Sequence, residues 1–132
     1  MRRIVFLAGV LFLFACVALA QDPVQVDPKH YKVEFENAQV RVLRIHYGPH
    51  EKSVMHSHPN AVAVNFTDLR GKFTLPDGTS QERTGKAGGT IWTPAEKHLP
   101  ENLSDQPLDL VLIEMKSKPA AAPKSPAAKK KG

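Results

Sequence analysis

From Tyr31 onward, hydrophobic and polar residues alternate with a period of two. In "YKVEFEN", residues 31–37, Tyr31, Val33 and Phe35 are interleaved with charged neighbours, and "VRVLRIHY", residues 40–47, repeats the pattern. Successive side chains of a strand point to opposite faces, so this alternation predicts two half-buried strands, neighbours in one sheet because only Ala38 and Gln39 separate them. Further strands are predicted at residues 61–67, 72–75, 81–84, 90–93 and 108–115, with turns at "GPHEK", "DLRG", "PDGT", "KAGG", "PAEK" and "SDQP" between them. No stretch carries a sustained helical period, and no segment repeats. Seven or eight short strands with turns every eight to twelve residues predict an all-β sandwich or barrel.

The two ends do not share this pattern. Arg2 and Arg3 precede an apolar run over residues 4–14, and Ala18 and Ala20 then stand at cleavage spacing. Residues 1–20 therefore read as a secretory signal peptide, which places the domain in the periplasm or outside the cell. A lipoprotein signal through Cys16 is the weaker alternative, because bulky Phe14 stands where a small or β-branched residue is usual. A retained anchor fits less well, since the run falls short of the ~20 apolar residues that span a bilayer. Cys16 is the sole cysteine, so the mature domain has no disulfide, no zinc-thiolate site and no cysteine nucleophile.

From Lys116 the chain carries six lysines and three prolines with no acid and no large apolar residue. Residues 116–132 are expected to be disordered, as a solvated spacer or a contact for anionic envelope components. The tail also accounts for the overall charge of +5, because residues 21–115 hold 10 basic against 13 acidic residues. The domain itself is mildly acidic, which argues against a nucleic-acid partner.

The chemistry concentrates in "HSHPNAVAV". His56 and His58, two apart on a strand, point to the same side and can converge on one ion. About forty residues later, "GGTIWTPAEKHLPEN" places Gly88, Pro94, His98 and Asn102 in an ordered spacing. With Gly48 and Gly71 flanking the first pair, the region from Gly48 to Asn102 resembles the two motifs of a cupin, and the strand pattern extends the resemblance over residues 31–115. It implies a double-stranded β-helix, a jelly-roll-like barrel, over a domain of residues 21–115. It also implies that His56, His58 and His98 face inward and hold a divalent transition metal, whether Fe, Mn, Zn, Ni or Cu.

The chain departs from the family pattern twice. Glu96 stands where a glycine is usual in a turn one residue shorter than usual, and the glutamate of the first motif is missing. Val62, four residues past His58, shares its parity and on an unbulged strand would occupy the carboxylate's place. Glu51, Glu101 and Glu114 are alternative carboxylates. His50 and Glu51 are the candidate catalytic residues, His50 as a fourth ligand or proton shuttle near the barrel mouth. His30 and His46 read as ordinary surface or strand residues, Trp92 as core or barrel rim, and Asn102 as a structural amide. Val62, Val64 and Phe66 are expected to wall an apolar pocket.

Three functions follow from this reading: a metal-dependent enzyme of dioxygenase or isomerase type on a small anionic or chelating substrate, a non-catalytic module for a metal or a small apolar ligand, or a metal-free barrel. Residues 31–37 are a candidate edge strand for pairing two copies as a homodimer.

Overall fold

The computed structural model describes residues 21–117; residues 1–20, expected to be a signal peptide, and nearly all of the lysine-rich tail lie outside the described residues. One turn of helix, α1 (Pro23–Val26), is capped by the Asp22 carboxylate accepting from the Val24 N–H. Nine strands follow: β1 (Tyr31–Glu36), β2 (Val40–Tyr47), β3 (His56–His58), β4 (Ala61–Asn65), β5 (Leu69–Thr74), β6 (Ser80–Gly85), β7 (Thr90–Thr93), β8 (Glu96–Asn102) and β9 (Leu108–Met115). They form two antiparallel sheets, ordered β1-β2-β9-β4-β7 and β3-β8-β5-β6. This is the expected all-β double-stranded β-helix, with β1 at a sheet edge.

The core lies on the inner face of the larger sheet. β2 and β9 pair along their whole length, from Val40 opposite Met115 to Tyr47 opposite Leu108. Alternation turns Leu43, Ile45 and Tyr47 inward from one strand and Leu108, Leu110 and Leu112 from the other. Ala61, Ala63 and Tyr31 join them, and Leu69 closes the layer from the smaller sheet. Each such leucine stabilises the fold by about 1.5–3 kcal/mol through its burial.

Three expectations need correction. Residues 96–102, which the alternation assigns to no strand and whose first two residues fall in the "PAEK" turn, form the inner strand β8, whose pattern was hidden because its inward residues are His98, Pro100 and Asn102 rather than large hydrophobics. Val62 does not share the parity of the histidines, because β3 and β4 belong to different sheets and the chain crosses between them at Pro59 and Asn60. That crossing resets the alternation, so Ala61, Ala63 and Asn65 face inward while Val62 and Val64 face away. Phe66 is half exposed with the Arg44 guanidinium 4.6 Å above its ring, so none of the three walls a pocket.

Trp92 is likewise turned outward, its partner in register being Val62. Register places Phe35, Val42, Ile113, Val62 and Trp92 in one row across all five strands, on the outer face. β1 loses its own alternation at a bulge between Val33 and Phe35, which leaves both side chains exposed although Tyr31 is buried.

Candidate metal centre

β3 and β8 pair with His56 opposite His98 and His58 opposite Glu96. Inward parity on β3 and the cross-strand position on β8 bring all three imidazoles to one point. One ligand nitrogen from each histidine lies within 4.8 Å of the others, and all three residues are buried. His56 and His58 meet edge to face with ring centroids 4.8 Å apart, and His98 lies 5.2 Å and 5.4 Å from them.

The outward nitrogen of every ring is held. His56 Nδ1 donates to the Val54 carbonyl at 2.8 Å, His58 Nδ1 to Glu114 Oε1 at 2.6 Å and His98 Nδ1 to Glu96 Oε2 at 2.7 Å. Each of these partners is an acceptor, so each Nδ1 carries the proton and a neutral ring keeps its lone pair at Nε2. His56 Nε2 and His58 Nε2 stand 3.0 Å apart. Two lone pairs at that distance repel. A proton between them would relieve that pair alone, whereas a divalent ion relieves all three rings at once. With metal–nitrogen bonds of about 2.0–2.1 Å, two ligands on one ion are separated by roughly 3.0–3.4 Å, so the observed pair fits a shared ion.

Burial decides the electrostatics. Together with the neighbouring His58 it pushes the His56 imidazole down to about 3, outweighing the Val54 carbonyl. Burial also lowers His98 despite the adjacent Glu96. Glu114 lies below the usual carboxylate range: burial acts to raise it, but hydrogen bonds from His58 and Arg41 prevail. Arg41 Nε donates to the second Glu114 oxygen at 2.6 Å and its Nη1 to Asp22. Glu96 is similarly shared, with Arg83 on Oε1 at 2.8 Å and His98 on Oε2. The site thus has a carboxylate behind His58, another behind His98 and a backbone carbonyl behind His56, the arrangement that orients imidazoles toward a cation.

A pH dependence follows. The folded His56 titrates about 3, far below its ordinary 6.5, so between these values the unfolded chain binds more protons than the folded one. The stability gained by keeping His56 neutral is full above pH 6.5 and is lost as the pH falls toward 3. The urea midpoint of the metal-free protein should fall between pH 6.5 and 5, before the carboxylates protonate, and His56→Gln should flatten that slope.

Behind His56 lies a second polar cluster. The Ser53 hydroxyl donates to Asp27 Oδ2 and lies 3.5 Å from His56 Nδ1. Asp27 also meets His30 Nδ1 at 2.6 Å, and His30 Nε2 lies 2.9 Å from Glu51. His30 is therefore not a surface residue; it is buried and stacked on Tyr47 with ring centroids 4.3 Å apart. Tyr31 and Tyr47 share a hydrogen bond of 2.6 Å between hydroxyls, and Tyr31 packs its edge 4.8 Å from His56. Burial raises both phenols, so they stay protonated at neutral pH.

His50 and Glu51 do not join the three histidines. His50 sits on the surface in a left-handed turn with φ 56° and pairs with exposed Asp105. Glu51 is held down to about 2 by Lys29, the Gly48 N–H and His30. Glu101 pairs with Lys72 at 2.8 Å, and His46 is an exposed strand residue bonded to Asp109. Of the candidate carboxylates only Glu114 enters the centre, through Nδ1 of a histidine. It ends the inward series Leu108, Leu110, Leu112, and standing as an acid on a buried strand face is the signal that separates it from Glu51 and Glu101. Asn102 is structural, its amide donating to the carbonyls of Gly48 and Gln106.

His58 and His98 open onto a cavity of about 300 Å³ between the sheets. Tyr31 and Tyr47 are among its lining residues, with Ile45, Leu69, Leu110 and Ile91.

No protein-family model matches the chain, and no curated protein does. Solved structures do match. A cupin domain from Bordetella pertussis Tohama I superposes with a TM-score of 0.61 at 26% identity, over 66% of this chain and 92% of that one. An RmlC-like cupin family protein with a double-stranded β-helix fold from Methanocaldococcus jannaschii gives 0.52 at 19% identity, over 67% and 83%. A double-stranded β-helix protein from Klebsiella pneumoniae gives 0.52 at 19%, over 64% and 74%. The double-stranded β-helix superposes on these domains, so the chain has the fold of the cupin superfamily.

Proposed function

We propose that the domain binds one divalent transition metal through His56, His58 and His98 and presents it to a small ligand in the adjoining cavity. The observation that carries this reading is the set of Nδ1 hydrogen bonds, which leaves three unprotonated nitrogens facing one another. Such an ion acts as a Lewis acid, polarising a carbonyl or binding an anionic head group, and a three-imidazole set keeps its full double charge. His58 and His98 line the cavity and would hold an ion at its wall, while His56, backed by the Ser53–Asp27 pair, does not line it.

The polar groups near the histidines favour binding and polarisation over proton abstraction. Glu96 and Glu114 are both engaged by arginine and histidine. The Tyr31 and Tyr47 hydroxyls are protonated and bonded to each other, so neither serves as a base. The leader sequence supports action outside the cytoplasm.

Cobalt(II) titration of the mature domain, residues 21–132, tests the reading. Visible d–d absorption should saturate at one equivalent in the parent and be absent when all three histidines are alanine. Equal absorption in both proteins would remove the site.

A further inference from the structure

The cavity has a second end. Asn65 lines it, is fully buried, and has no partner for either its side-chain oxygen or its side-chain nitrogen among the described residues. Its backbone is satisfied, the N–H donating to the Gly89 carbonyl and the carbonyl accepting from Gly88. The amide alone is orphaned. Buried amides rarely remain so, because desolvation without a hydrogen bond is costly.

The amide is also fixed in place. Gly85 packs against it so closely that a Cβ there would stand 2.4 Å from the amide nitrogen and 2.9 Å from an Ile91 methyl. Leu69, Ile91 and Leu110 line the cavity with it and offer no polar atom. Leucine at position 65 would have suited this lining; an amide suits a polar group arriving through the cavity.

The distance between the ends follows from register. Ala61 is opposite Glu114, which holds His58, and Asn65 is opposite Leu110. Four residues separate these levels along each strand, about 13 Å at the usual rise. We propose that Asn65 is the distal anchor of a ligand site whose other end is the histidine centre. The ligand class is a linear, medium-chain carboxylate: its head group meets the metal, its methylenes fill the apolar middle, and an ω-hydroxyl both donates to and accepts from the Asn65 amide. The head-group end rests on the metal reading above; the Asn65 end does not.

Calorimetry with two probes tests this, an ω-hydroxy medium-chain carboxylate and the methyl-terminated carboxylate of the same length. Both are titrated into the parent and into Asn65→Leu, with and without cobalt(II). The parent should bind the hydroxylated chain about tenfold more tightly, and Asn65→Leu should reverse that preference, since a site built to bond a hydroxyl disfavours the analogue lacking it. Cobalt(II) stoichiometry should be the same in both proteins. Loss of cobalt binding in the parent, with the preference kept in metal-free protein, would sink the metal reading and leave the anchor standing. No preference in the parent, the same preference in Asn65→Leu, or no binding of either chain, as expected if the amide only holds a buried water, would overturn the anchor.

Discussion

Replacing His58 by alanine should lower zinc or cobalt(II) affinity by roughly two to three orders of magnitude. Structural zinc sites with four ligands bind with about 10–16 kcal/mol, so each ligand contributes on the order of 3 kcal/mol. His58 is also the ring that links the centre to Glu114, at 2.6 Å, and faces His56 Nε2 at 3.0 Å. Its removal takes away one donor and the group that Glu114 orients. Competition titration against a chelator of known affinity measures the effect. An affinity within a factor of three of the parent's would mean that the ion, if bound, is not held at these rings.

The second large effect is expected at Glu114, which touches no ion in this account. Its carboxylate is buried between His58 and Arg41, one oxygen to each. Glu114→Ala leaves the largely buried Arg41 with only Asp22 and leaves His58 Nδ1 unpaired. Breaking a buried pair from one side costs about 3–5 kcal/mol, and losing the orienting partner of a metal-binding histidine weakens the metal by about 10–100-fold. Urea denaturation with an unchanged m-value reads the first, and metal competition reads the second. Glu114→Gln keeps an acceptor of the same shape and should recover part of the stability. A Glu114→Ala protein as stable as the parent, binding metal equally well, would leave the buried carboxylate without a role.

Much of the barrel was legible because most of its strands are half buried. The alternation in β2 and β9 survives intact, since one face meets leucine and the other meets solvent. β8 was not legible: its inward positions serve the site and its fastenings, so they are histidine, proline and asparagine. The histidine triplet was legible through the resemblance of its two motifs to those of cupins. Glu114 was among the carboxylates the sequence offered, but its place behind His58 was not legible, because it lies 56 positions away and meets the histidine only through the pairing of β4 with β9.

The shift in parity at Pro59–Asn60 had the widest effect. A reading that runs β3 into β4 puts Val62 in the site and Asn65 outside it, whereas the crossing between sheets reverses both. His30 was misread for a related reason. Nothing in its neighbourhood marks it as buried until α1 and the Glu51 loop close over it.

The most direct test of the central claim is elemental analysis of residues 21–132, produced without a histidine tag and reconstituted with divalent metals, beside the His56→Ala/His58→Ala/His98→Ala variant. The account predicts about one equivalent of a transition metal in the parent after dialysis and none in the variant. A folded parent that retains no metal under any of these conditions would contradict it.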